Sequence, residues 1–135
     1  MIRGVCRAAA CAFGTALAVG VAPAYAIQMD TAVLQALDKI AARVSPLEAP
    51  VGKMVKFGSL EITVRECDKR PPEETPESAA FLEIVERKPN ESPVFIFKGW
   101  MFASSPALSA LEHPVYDVWV VDCKNRSNSP SGSSP

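Results

Sequence analysis

Residues 51–67 read VGKMVKFGSLEITVREC, and apolar and polar side chains alternate along both halves of this stretch. Gly58 and Ser59 separate the halves and form a dipeptide that is typical of a tight turn. A period of two on both sides of a turn predicts a β-hairpin with one buried face and one face in water. The hairpin in turn indicates a mainly β protein.

Cys67 directly follows the second half of this hairpin. Strict alternation places its side chain on the wet face, together with Glu61, Thr63 and Arg65. A buried Cys67 therefore requires a β-bulge, or the end of the strand, at this point.

Three further strands are predicted downstream, at residues 79–87 (AAFLEIVER), 94–102 (VFIFKGWMF) and 115–123 (VYDVWVVDC). The second of these is apolar on both faces, which predicts the most buried strand. Five strands at short spacing, with proline and glycine in the turns, indicate a small antiparallel sandwich or partly open barrel with one or two short helices.

Two other segments leave alternatives open. Residues 30–44 (DTAVLQALDKIAARV) carry apolar side chains at three- and four-residue spacing, which predicts an amphipathic helix. Part of this segment, LDKIAARV, also fits an edge strand. Residues 68–78 (DKRPPEETPES) predict an exposed, extended connector, and a polyproline-type docking motif is the alternative.

The first 26 residues have the features of a Sec-type signal peptide. Arg3 and Arg7 precede an apolar run over residues 8–22, and the triplet Ala24-Tyr25-Ala26 follows it. The run is too short, and too rich in alanine and glycine, for a membrane-spanning helix. We therefore expect cleavage after Ala26 and a periplasmic location.

Cleavage leaves a single β-rich domain at residues 27–123, which is an ordinary size for one domain. The last 12 residues, 124–135 (KNRSNSPSGSSP), have no apolar periodicity and predict a disordered tail. No segment after the signal peptide is predicted to span a membrane. The formal net charge of −1 excludes a nucleic-acid binder that depends on bulk positive charge.

Signal cleavage removes Cys6 and Cys11, so Cys67 and Cys123 remain as an even pair. Two cysteines in an exported protein predict one disulfide bond, and two free buried thiols are the alternative. The chain has a single histidine, so these residues are too few for a four-coordinate zinc site. No metal or cofactor is predicted.

Residues 99–117 (GWMFASSPALSALEHPVYD) contain that histidine, His113, near Ser104 and Ser105. The following proline favours extended backbone at His113, which places Asp117 about 13 Å away along the chain. The chain also lacks a G-x-S-x-G motif. We therefore predict no catalytic residues. Ser105 is expected to cap a short helix, with His113 hydrogen-bonded near the C-terminus of that helix.

Aromatic side chains flank this short helix. Such residues usually lie in a core, but Trp, Tyr and Met are also enriched at binding surfaces. We predict a candidate binding face that consists of Trp100, Met101, Phe102, His113, Tyr116 and Trp119.

The runs FGSLEITVREC, RPPEETPESAAFLEI and GWMFASSPALSALEHPVYDVWVVDC resemble an uncharacterised family of exported alphaproteobacterial proteins, a domain of unknown function. The resemblance extends over residues 37–123. It implies a signal peptide and the two cysteines, and it implies no activity, substrate or catalytic residue.

These features favour a non-catalytic periplasmic protein that binds an envelope protein or ligand through residues 99–117. A small periplasmic hydrolase that uses Ser104 or Ser105 with His113 is one alternative, and a structural component of the envelope is another. A hydrolase requires a pocket in which the serine, the histidine and a carboxylate lie within hydrogen-bond reach.

Overall fold

The computed structural model describes residue 20 and residues 25–126. Within these residues the chain forms nine β-strands and one 3-10 turn. They are β1 (Ile27–Gln28), β2 (Thr31–Asp38), β3 (Arg43–Pro50), β4 (Met54–Phe57), β5 (Leu60–Lys69), β6 (Ser78–Glu86), β7 (Val94–Phe102), the 3-10 turn (Pro106–Leu108), β8 (Leu111–Glu112) and β9 (Tyr116–Lys124). The signal peptide predicted for residues 1–26 lies mostly outside the described residues.

The strands form two antiparallel sheets that pack face to face. Sheet 1 has the strand order β1-β5-β6-β7, with β4 also paired to β5, and sheet 2 has the order β3-β2-β9-β8. Inward-facing side chains of both sheets form one apolar core, which includes Leu34, Leu60, Ile62, Val64, Leu82, Ile84, Met101, Val118 and Val120. The predicted mainly β sandwich is therefore confirmed, and the described strands do not close into a barrel.

The hairpin predicted at residues 51–67 is present. β4 pairs with β5, and the turn that connects them contains Gly58. The pairing of β5 with β6 changes register between Val64 and Glu66, which marks a β-bulge. The bulge returns Cys67 to the core, where it is 1% exposed. Strict alternation along β5 would place Cys67 on the wet face, so this β-bulge accounts for its burial.

The helix predicted for residues 30–44 is wrong, because this segment forms β2, a turn and the start of β3. Ala32, Leu34 and Ala36 are buried, and the residues between them are partly exposed. The sequence of β2 therefore fits both a strand period of two and the helical spacing. Backbone pairing with β3 on one side and β9 on the other favours the strand. The edge-strand alternative for residues 37–44 is right only in part. Residues 37–38 end the central strand β2, and the edge strand β3 begins at residue 43.

The prediction that residues 94–102 form the most buried strand is also wrong. β7 lies at the edge of sheet 1, and among the described strands it pairs only with β6. Val94 and Phe95 are exposed, whereas Met101 is buried. No further layer covers the outer face of a sandwich, so an edge strand with apolar side chains on both faces exposes one set of them.

Cys67 on β5 and Cys123 on β9 lie at disulfide distance, with their Cα atoms 5.8 Å apart. Disulfides usually join Cα atoms about 4.4–6.8 Å apart. The two strands belong to different sheets, so the pair links sheet 1 to sheet 2 across the core.

The described fold continues slightly beyond Cys123. β9 ends at Lys124, and the backbone N–H of Arg126 donates to the Asp30 carboxylate at 2.9 Å. The rest of the predicted tail, residues 127–135, lies outside the described residues. Within residues 25–126, no helical segment has the length and apolar character that a membrane crossing requires.

Candidate functional site

The six residues predicted to form one binding face lie in four separate places. Met101 is 2% exposed and packs in the core. Trp100 and Phe102 lie on the outer face of sheet 1, because they pair with Phe81 and Ala79 on the solvent side of β6. These two residues share a surface.

Trp119 lies on the opposite side of the molecule. It follows the buried Val118 in β9 and pairs with Gln35 on the outer face of sheet 2. Because the outer faces of two packed sheets point in opposite directions, Trp119 and Trp100 have no common surface.

His113 and Tyr116 lie at the end of the sandwich near the turn between β4 and β5. The Nδ1 atom of His113 accepts backbone N–H bonds from Val115 at 3.1 Å and Tyr116 at 3.3 Å. The proton is therefore on Nε2, which donates to the Glu86 carboxylate at 2.9 Å. The ring also stacks on Tyr116, which packs edge-on against Phe57. His113 thus holds a turn between strands, instead of the predicted helix C-terminus.

Replacement of His113 by alanine should lower the free energy of unfolding by about 1–3 kcal/mol, because two backbone N–H groups lose their acceptor. His113→Asn should lose less, since an asparagine oxygen can accept from the backbone two residues further along. Urea denaturation of the two variants and the unchanged protein measures the difference. Equal losses in both variants would contradict the turn-holding role.

The fold separates the two serines from His113. Ser104 donates two hydrogen bonds to the Glu77 carboxylate, one from its hydroxyl and one from its backbone N–H at 3.1 Å. Glu77 directly precedes β6. His113 binds Glu86, the last residue of β6. The nine-residue strand between these two glutamates is about 30 Å long, far beyond hydrogen-bond reach. The hydrolase alternative with Ser104 or Ser105 and His113 therefore lacks its required geometry.

The short helix predicted after Ser105 is a single 3-10 turn at Pro106–Leu108, and the Ser105 side chain makes no cap hydrogen bond. Leu111 and Glu112 pair with β9 as β8 instead of continuing a helix. This pairing buries Leu111 against the core, whereas Leu108 in the turn is exposed.

Among the described residues, five carboxyl groups have a pKa below the ordinary value: Glu61, Glu77, Glu83, Glu86 and Asp122. Burial raises the pKa of Glu86, but hydrogen bonds from His113 and Ser59 and the charge of Lys88 outweigh it. In the part of the chain that the structure describes, no three His, Cys, Asp or Glu side chains are placed to hold a metal ion. These carboxylates serve local hydrogen bonds and ion pairs.

The outer face of sheet 1 carries an apolar surface beside β7. We define the β7 surface as the side chains of Phe81, Phe95, Lys98, Trp100 and Phe102. The Trp100 and Phe81 rings pack edge to face with centroids 5.6 Å apart. Phe95 is 71% exposed and Phe102 is 39% exposed. Exposed aromatic side chains beside the unpaired edge of a strand are typical of a binding surface.

An ion-pair network borders this surface. Glu83 on β6 binds Arg65 at 2.9 Å and lies 3.5 Å from the Nζ atom of Lys98. The hydrogen bond from Arg65 is the largest cause that holds the pKa of Glu83 below its usual range. The Lys98 side chain is 65% exposed, so its ammonium group faces water.

Sequence reasoning missed Phe95 and Lys98 as candidate functional residues. The strand was predicted to be buried on both faces, so exposed side chains were not expected on it. A signal was present, because a lysine within an apolar strand, here Lys98, is typical of a sheet edge.

Comparisons with known proteins agree with an uncharacterised family. A family model described as "Uncharacterized protein conserved in bacteria (DUF2155)" matches residues 32–123, which include both cysteines and the β7 surface. An uncharacterised protein of Rickettsia prowazekii (strain Madrid E) is 34% identical over 88 residues, which cover 65% of this chain and 57% of the relative. The chain thus spans little more than half the length of that relative. No solved structure matches the chain. The chain belongs to the DUF2155 family of uncharacterised bacterial proteins.

Proposed function

We propose that this protein is exported to the periplasm and binds an envelope protein through the β7 surface, without catalysing a reaction. One observation carries the proposal. β7 contains no proline and pairs with β6 in an unbroken register from Phe97 to Phe102. Before that stretch, and before a β-bulge, Val94 and Phe95 are 54% and 71% exposed. Long apolar edge strands pair readily with other chains, so proteins usually protect such edges.

The other edges of the described sheets are protected or short. β3 contains Pro46 and Pro50, which have no N–H group to donate to an added strand. β1 and β8 have two residues each, and β4 has four. β7 is therefore the edge best suited to a partner.

Two features support export. Arg3 and Arg7 precede the apolar run over residues 8–22, in the order typical of a signal peptide. The disulfide distance between Cys67 and Cys123 suits an oxidising compartment. Mass spectrometry of the protein from its native host should find an N-terminus at Ile27 in the periplasmic fraction. A mature protein that retains Met1 would contradict export.

Site-specific photo-crosslinking in the native host tests the binding surface. A crosslinking amino acid at Phe95 should give one discrete product with an envelope protein, because this position projects from the β7 surface. Val44 on β3 is the matched control, since it is 50% exposed on the edge strand of the other sheet. The proposal would be contradicted if the two positions gave the same crosslinked products, or if position 95 gave no crosslinked product.

A further inference from the structure

We propose that β7 binds its partner by strand addition, and that the added strand carries a carboxylate opposite Lys98 and an aromatic side chain opposite Trp100. This inference rests on the proposed function and specifies the partner's chemistry. The partner contributes an extended segment in which an acidic residue and an aromatic residue are two positions apart.

The strand already paired with β7 shows which side chains complement its outer face. On β6, Phe81 lies opposite Trp100 and Glu83 lies opposite Lys98. Cross-strand pairs of this kind, one aromatic and one of opposite charge, stabilise neighbouring strands. A strand on the other side of β7 would meet the same Trp100 and Lys98 side chains, so we expect it to carry the same pattern.

Lys98 has capacity for a second carboxylate. Arg65 already binds Glu83 at 2.9 Å, whereas the Nζ atom of Lys98 lies 3.5 Å from the same carboxylate. The Lys98 side chain is also 65% exposed. An ammonium group carries three donors, so a carboxylate from an added strand can bind without displacing Glu83.

Gly99 lies between these two side chains and pairs with Leu82 on β6. It is not among the residues with positive φ, and an added Cβ would lie 3.7 Å from the Phe97 ring, an ordinary contact. Glycine within a strand weakens it and often marks a close approach of another backbone. Its place in the middle of β7 fits an added strand.

A second copy of this chain fits β7 less well than a different protein. Antiparallel self-pairing about Lys98 places two lysines opposite each other, which is unfavourable. Self-pairing about Gly99 places Lys98 opposite Trp100. Neither arrangement supplies a carboxylate to Lys98, so charge complementarity favours a foreign acidic strand.

A peptide with the sequence of residues 79–87 (AAFLEIVER), flanked by short glycine-serine tails, provides a defined probe. Isothermal titration calorimetry with the oxidised protein should detect binding. Lys98→Glu in the protein should weaken the binding of this peptide by about fivefold. A second peptide, in which lysine replaces the residue that corresponds to Glu83, should bind the Lys98→Glu protein as tightly as the first peptide binds the unchanged protein. Lys56→Glu is the control, because Lys56 is an exposed lysine on β4, at the opposite edge of sheet 1.

N-methylation of the peptide tests main-chain pairing. Alternate amides of a strand point to opposite edges, so one set of methyl groups blocks the edge that meets β7 and the other does not. We expect one alternate pattern to abolish binding and the other to preserve it. Equal effects of the two patterns, or unchanged affinity in Lys98→Glu, would overturn strand addition. A dimer of the protein alone, formed through β7 and detected by light scattering, would overturn the foreign partner.

The proposed function and this inference can fail separately. If crosslinking at Phe95 succeeds but the peptide does not bind, the β7 surface binds its partner through side chains alone and the inference is wrong. If the peptide binds with the expected charge dependence but no partner is crosslinked in the host, strand addition is supported and the envelope role is wrong.

Discussion

Reduction of the disulfide bond that we predict between Cys67 and Cys123 is expected to lower the free energy of unfolding by about 4 kcal/mol. The two residues are 56 positions apart, and a cross-link over that length removes much of the entropy of the unfolded chain. Domains of this size have total stabilities of about 5–15 kcal/mol, so such a bond would supply a large part of the stability. Scanning calorimetry with and without reductant should show a Tm difference greater than about 10 °C.

The reduced protein should still fold at 25 °C, because other contacts join the sheets near these two cysteines. The Asp122 carboxylate on β9 accepts a hydrogen bond from Ser78 at 3.0 Å and binds Lys69 at 2.8 Å, and both partners belong to sheet 1. Burial raises the pKa of Asp122, but the Lys69, Cys123 and Ser78 hydrogen bonds outweigh it and keep the carboxyl group ionised near neutral pH.

A double variant, Cys67→Ala with Cys123→Ala, separates the cross-link from the packing. It should be less stable than the reduced protein, since it also loses two buried sulfur atoms and leaves small cavities. It should not respond to reductant. An unchanged Tm after complete reduction of the unaltered protein would contradict the stabilising role of the bond.

Gly58→Ala is expected to lower the free energy of unfolding by about 2–4 kcal/mol. Gly58 has a φ of +57° in the turn between β4 and β5, where an alanine is strained. An added Cβ would also overlap the phenol end of Tyr116. That ring is held between Phe57 and His113, with centroid distances of 5.4 Å to each, so it moves only at a cost in packing.

Gly52→Ala is the matched control. Gly52 also has a positive φ, of +82°, but no atom lies within 4 Å of an added Cβ. This variant should therefore lose only the strain energy, about 1 kcal/mol. Urea denaturation of both variants then isolates the displacement of Tyr116 as the difference between them. Equal losses would show that the tyrosine ring moves freely.

The strands with local signals could be predicted from the sequence. The β4–β5 hairpin, β6 and β9 each combine alternating side chains with a nearby turn, and both signals lie within a few residues. β2 could not be predicted in this way, because residues 31–38 satisfy helical and strand periods together. Its pairing with β9, which begins at Tyr116, decides between them, and no local pattern shows that pairing.

The candidate site was predictable only in part, for a similar reason. Trp100 and Phe102 were identified from their residue types, but a one-dimensional pattern does not show that Trp119 faces the opposite side of the sandwich. The exposure of Phe95 depends on β7 being an edge strand, and strand order is a property of the whole sheet. Lys98 is the local sign of that edge.

The pairing of β2 with β9 at the centre of sheet 2 also determines when the domain can complete its fold. Thr31, at the start of β2, pairs with Lys124, at the end of β9, so β2 can complete its pairing only after the last strand has been synthesised. Contacts so distant along the chain slow folding. Under the export that we propose, this delay would be useful, because the sandwich could not complete its fold before its C-terminal strand had crossed the membrane.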